Sequence, residues 1–153
     1  MTIAAPVVPT PTDGLSSALR AFRTLQTQHA RVLTQESAAR GLHATDLRFV
    51  LVVAGTEGAG LTPKQAADHL ELTTGAMTSL IDRLERRGHL ERRPNPGDRR
   101  SILVQLTPTG AQLADEVVAV YREAFRDGVP ASELAALAAA FTGVGAALRR
   151  HRP

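Results

Sequence analysis

The chain has no cysteine, and aromatic residues make up only 3% of its 153 positions. Without cysteine there is no disulfide framework, no thiolate zinc site, no nucleophilic cysteine and no thiol redox sensor. With so few aromatics, the core must draw on leucine, valine and alanine within the 43% of hydrophobic residues. That favours helix-on-helix packing over an aromatic-rich β-sandwich. The N-terminus, MTIAAPVVPTPTDG, lacks a basic n-region and a long apolar run, so no signal peptide is expected. No segment approaches the uninterrupted apolar length of a membrane span. The expectation is a soluble, cytoplasmic chain with no membrane partner, long enough for one domain with a real core.

Catalytic constellations are also missing. No nucleophile is paired with a base, and the glycine-rich GTEGAG at residues 55–60 lacks the lysine and hydroxyl of a phosphate loop and follows a helix rather than a strand. It reads as a connector, and the chain is not expected to be an enzyme. The five histidines (29, 43, 69, 89 and 151) show no close ligand pair, so no metal site and no cofactor are expected.

What is present is an uneven charge. The net charge is +3, yet residues 83–100 hold seven arginines against three acids, and the remainder holds 11 basic against 12 acidic groups. All the excess positive charge lies in one short run, the footprint of a phosphate-bearing partner. Charge alone leaves a solvated arginine-rich face as the alternative.

Residues 1–12 contain three prolines among small residues and read as a flexible tail. Leu15, Ala18, Leu19, Phe22, Leu25, Val32 and Leu33 recur at helical spacing and predict a long amphipathic helix to about Ala39. Thr45 is the expected N-cap of a second helix. TPKQ at 62–65 combines an N-cap Thr62, Pro63 at the first helical position and Gln65 three residues after the cap, a capping box that starts a short helix. Glu71, Leu72 and Thr73 then lead into another helix, with Thr73 its N-cap and Gly88 beyond its end. Two short helices joined so tightly match the helix-turn-helix pattern.

The second of these helices places Met77, Leu80, Ile81 and Leu84 on one face and Gly75, Thr78, Ser79, Asp82, Arg83 and Arg86 on the other. Small polar residues followed by arginines suit a major groove, where the backbone must come close and flanking phosphates must be gripped. An ordinary solvent-facing stripe is the plainer reading. After Gly88 the pattern becomes strand-like: HLERR and RRSILVQLT flank PNPGD, with Ile102, Val104 and Leu106 alternating. Pro94 to Gly97 are assigned to the turn, since proline cannot donate to a ladder. A helix-turn-helix followed by a basic-tipped hairpin describes a winged helix, whose tip reaches a minor groove. Thr107 and Pro108 then start a helix carrying Leu113, Val117, Val120, Ala124 and Phe125, and Ser132 is the expected cap of a last helix carrying Leu134, Leu137, Phe141, Val144 and Leu148. The fold class expected is mainly α (α+β). Residues 45–107 form the winged helix with its wing at 89–107, and residues 13–44 and 108–150 are dimerisation helices, an intramolecular helical layer being the alternative.

The run from Leu61 to Gly110 resembles the winged-helix core of the MarR family of bacterial transcriptional regulators, most closely in LIDRLERRG (80–88), DRR (98–100) and LTPTG (106–110). The resemblance implies a homodimer on double-stranded, pseudo-palindromic operator DNA, most often as a repressor. It implies that Thr73, Thr74, Gly75, Thr78 and Ser79 face the major groove and that Arg83 and Arg86 contact the DNA backbone, Arg83 with a wing brace as its alternative. Asp98, Arg99 and Arg100 would serve the minor groove, Asp98 orienting Arg100. Many members carry a basic or bulky residue where this chain has Thr74, Gly75 and Ser79, which shifts discrimination towards groove shape. His89 stands where members usually have an apolar residue. Members often bind a small aromatic effector between the winged helix and the dimer helices; Phe22, His29, Arg48, Phe49 and Tyr121 lie at that level, with Phe22 and Phe49 better placed in the core by their spacing. The rival class is a winged-helix protein-interaction or nonspecific nucleic-acid-binding module.

Overall fold

Local start and stop signals lay out the helices. In the computed structural model, which describes residues 11–151, the order is α1 (Pro11–Ala39), α2 (Ala44–Ala54), α3 (Pro63–Leu70), α4 (Thr74–Arg86), β1 (Leu90–Pro94), β2 (Ile102–Leu106), α5 (Pro108–Gly128), a 3-10 turn (Ala131–Glu133) and α6 (Leu134–Arg150). The capping box forms in full: Thr62 Oγ1 accepts from the Gln65 amide at 3.2 Å, and Gln65 Oε1 accepts from the Thr62 amide at 2.9 Å. Glu71 adopts a left-handed conformation (φ 55°) that closes α3, and Thr73 opens α4 by accepting from the Ala76 amide at 3.2 Å. Thr107 serves two elements at once. Its Oγ1 accepts from the Gly110 amide at 3.0 Å and donates to the Gly88 carbonyl at 2.5 Å, tying the end of α4 to the start of α5.

The two strands pair antiparallel, from Leu90 opposite Leu106 to Pro94 opposite Ile102. The connector before α3 adds a rung, with Leu61 and Val104 exchanging backbone hydrogen bonds of 3.1 and 2.8 Å. Phe49, Leu47, Met77, Leu80, Ile81, Leu84, Leu90, Val50, Val104 and Val117 are wholly buried where α2, α4, α5 and the hairpin meet. Each such side chain stabilises the fold by about 1.5–3 kcal/mol relative to exposure, so this cluster holds the winged helix as a unit.

Several expectations are corrected. α1 starts at Pro11, inside the stretch read as a tail, because proline suits a first helical turn; residues 1–10 lie outside the described residues. α2 begins one residue before Thr45, with an extended His43 as N-cap and no side-chain cap bond. Pro94 belongs to β1 rather than to the turn. Since the Asn95 amide bonds the Ser101 carbonyl, the neighbouring Pro94–Ile102 pair falls on a rung that requires no donor. Ser132 lies inside the 3-10 turn, which runs straight into α6 and leaves Glu133, not Ser132, at the N-cap position.

The terminal helices carry apolar surface that stays exposed among the described residues. Leu15, Leu19, Phe22 and Leu25 of α1, Val120 and Phe125 of α5, and Leu134, Phe141, Val144 and Leu148 of α6 are all exposed. Phe22 is thus not a core residue of the single chain, although helical spacing placed it there. Ala131–Arg150 is long and apolar enough, by length and composition only, to cross a membrane. That differs from the sequence expectation, because alanine, glycine and threonine spread a moderate hydropathy over the whole helix rather than concentrating it in one uninterrupted run.

Candidate nucleic-acid interface

α4 divides along its length as its periodicity requires. Met77, Leu80, Ile81 and Leu84 face the core, while Thr73, Thr74, Gly75, Thr78, Ser79 and Arg86 are exposed together. The helix backbone is open at Gly75, where a Cβ would meet nothing within 4 Å. Two of these side chains also serve the helix itself: Thr78 Oγ1 donates to the Thr74 carbonyl at 2.9 Å, and Arg86 Nε donates to the Asp82 carbonyl at 3.2 Å.

The hairpin tip is built from two consecutive turns. The Asp98 amide bonds the Asn95 carbonyl at 3.2 Å, and the Ser101 amide bonds the Asp98 carbonyl at 3.0 Å. Each turn opens on a side chain that accepts from the backbone two residues on: Asn95 Oδ1 from Gly97, and Asp98 Oδ1 from Arg100, both at 2.9 Å. Asp98 therefore orients the backbone of Arg100, and Arg99 and Arg100 occupy the two central positions of the outer turn, both exposed.

The arginines of the charged run have distinct partners. Arg92 of β1 reaches back to α4, bonding Asp82 at 2.5 Å and also Glu85, and Arg93 is held by Glu91 at 2.7 Å. Arg83 donates from Nε and Nη2 to the two carboxylate oxygens of Asp46 on α2, at 3.2 and 2.6 Å. That hydrogen bond raises the Arg83 pKa above its ordinary value, against the opposing effect of partial burial. Among the described residues, Arg86, Arg87, Arg99 and Arg100 form no ion pair. Arg83, read from sequence as a DNA-backbone contact or a wing brace, pairs through Nε and Nη2 with Asp46, and the side chain that braces the wing against α4 is Arg92. Asp46 itself was missed. Its signal was a carboxylate on the stripe Asp46, Phe49, Val50 and Val53, where a buried charge demands a partner.

His89 covers the hairpin entrance, half-buried, with Nδ1 buried and without a hydrogen-bond partner among the described residues. Burial first, and then the charge of Arg87, lower its pKa. Between α1 and α5, Tyr121 Oη and His29 Nδ1 lie 2.9 Å apart in an open apolar groove of about 410 Å³ with Phe22, Leu25, Gln26 and Phe125. Burial first, and then the charge of Glu36, raise the Tyr121 pKa. Phe22, His29 and Tyr121 are thus brought together, whereas Phe49 is wholly buried in the core and Arg48 does not line this groove. Among the described residues, no group of three or more His, Asp or Glu side chains is arranged to hold a metal ion.

A family model described as MarR family matches residues 40–101, which span α2, both helices of the helix-turn-helix and the wing up to Ser101. Over that stretch the chain is similar to the MarR family. It is 43% identical over 56 residues to the multiple antibiotic resistance protein MarR of Salmonella typhimurium, covering 37% of this chain and 39% of that protein. It is 34% identical to the uncharacterised regulator YcgE of Bacillus subtilis, covering 65% of this chain and 64% of YcgE. The chain therefore spans less than two-thirds of the length of either relative. In fold it is similar to a mutant of Escherichia coli MarR complexed with operator DNA, with a TM-score of 0.56 and 24% identity over 89% of this chain and 99% of that one. The family match covers α2 as well as α4, and so both ends of the Asp46–Arg83 pair.

Proposed function

We propose that this MarR-like chain is a dimeric, sequence-specific DNA-binding transcriptional regulator of the cytoplasm, acting as a repressor on a pseudo-palindromic operator and not as an enzyme. The observation that carries this reading is the division of the arginines. Three of the seven in the charged run are held by carboxylates, while the two at the wing tip are exposed and, among the described residues, unpaired on a braced hairpin. Cations held away from internal acids have little to stabilise beyond an external anion, and a narrow minor groove supplies one. Thr73, Thr74, Gly75, Thr78 and Ser79 would enter the major groove, Arg86 would meet phosphate, and Arg99 and Arg100 would serve the minor groove, with Asp98 shaping their turn. The exposed apolar residues of α1, α5 and α6 support pairing with a second copy. The groove around Tyr121 and His29, apolar with one polar pair, suits a small aromatic effector that releases the DNA. The operator complex of Escherichia coli MarR supports the same partner class.

Fluorescence anisotropy against the duplex upstream of the chain's own gene tests the reading. At physiological salt an operator should be preferred over random duplex by roughly 10³-fold or more. Equal affinities that collapse together as salt rises would instead mark a nonspecific basic module.

A further inference from the structure

The C-terminal end of α4 is held from two sides by successive residues. Asp82 turns to the wing and takes Arg92, while Arg83 turns to α2 and takes Asp46. Asp46 is only 2% exposed and neighbours Leu47, Phe49 and Val50 on the buried part of α2. It is the only buried acidic residue among the described ones. Two bonds from a planar guanidinium set direction as well as distance. The pair also joins helix ends whose dipoles favour it, since Asp46 lies in the first turn of α2 and Arg83 in the last turn of α4. α2 in turn packs on α1 and α5, two of the helices that expose apolar surface.

We infer that Asp46 is a positioning residue for α4: through Arg83 it sets the direction in which the helix leaves the helical frame, and so the duplex that the two α4 helices of a dimer fit together. The inference rests on the operator-binding reading above. A dimer reads two half-sites at fixed separation, so a small rotation of each α4 harms the paired site more than random duplex, along which the protein can shift. Arg83 acts here by orientation and contributes no phosphate contact.

The test compares the wild type with Asp46→Asn, Arg83→Gln and the double variant, by anisotropy on a preferred duplex and a random one across a salt series. Each single variant is expected to lose about tenfold of its preference for the specific site. The double variant should lose no more than either single variant, and the affinity for random duplex and its salt slope should stay unchanged. An unaltered preference overturns the inference. So does an Asp46→Asn protein that binds both duplexes more tightly with a steeper salt slope, which would make Arg83 a latent phosphate contact. Hydrogen exchange of the DNA-free protein gives a second readout: amides across 74–86 should exchange faster in Asp46→Asn while those of α5 do not change, and unaltered exchange counts against the inference. Should Asp46→Asn fail to fold, the half-exposed Arg83→Gln carries the same comparison. A wild type that prefers no duplex sinks the operator-binding reading, and the exchange comparison then still decides the role of Asp46.

Discussion

Gly110, in the first turn of α5, lies so close to the carbonyl of His89 that a Cβ there would overlap its oxygen and stand 2.9 Å from its carbon. The same carbonyl accepts from the Thr107 amide at 3.2 Å, so the obstacle is backbone anchored where the wing begins and α5 starts. Gly110→Ala is expected to destabilise the chain by about 3 kcal/mol. Gly75→Ala, at an open helical position, should be neutral or stabilising by up to about 1 kcal/mol. Urea unfolding of both variants checks this, and equal midpoints would refute it.

His89 predicts a pH dependence whose sign follows from its setting. Its pKa is lowered by burial and by Arg87, so the folded chain takes up this proton less readily than the unfolded chain, whose histidine titrates near about 6.5. The stability linked to neutral His89 is therefore complete above that value and is lost as pH falls from there through the lowered folded value. Thermal midpoints of the wild type should fall further than those of His89→Leu between about pH 7.5 and about pH 5. Parallel profiles would show that His89 contributes nothing to the acid sensitivity.

Arg93 and Arg100 lie on the same hairpin but differ in their partners. Arg93 is held by Glu91 at 2.7 Å, whereas among the described residues the Arg100 side chain has no ion-pair partner and its backbone is fixed by Asp98. Arg100→Ala is expected to weaken binding to the preferred duplex by about tenfold or more. Arg93→Ala should change it less than about threefold, as an exposed pair contributes little. Anisotropy at one salt concentration measures both, and equal losses would show that the pairing pattern does not sort the arginines by role.

The exposed faces of α1, α5 and α6 predict self-association. Phe141 is 44% exposed and Val144 is 52% exposed on α6. Charging them with Phe141→Glu and Val144→Arg should convert a dimer into a monomer at micromolar concentration, read by light scattering, while the wing and α4 keep their fold. A wild type that is already monomeric would contradict the dimer directly.

The sequence by itself determined the elements and their order where the physics is local. Thr62, Thr73 and Thr107 announce helix starts because a hydroxyl satisfies an amide only two or three residues away, and Gly88 marks an end because its left-handed φ of 74° suits glycine. The wing was legible for the same reason, since its alternation and turn residues act within a few positions. Where several local solutions compete, legibility stopped: Thr45 and Ser132 were plausible caps that the helices bypassed, and Pro94 was excluded from a rung that required no donor. What only the tertiary structure decided was which charge meets which. Seven arginines look alike in sequence, yet Arg83 finds Asp46 37 residues away and Arg92 finds Asp82 back on α4, leaving Arg99 and Arg100 without an ion pair among the described residues. An ion pair depends on distance and burial in three dimensions, quantities that a run of like residues does not encode.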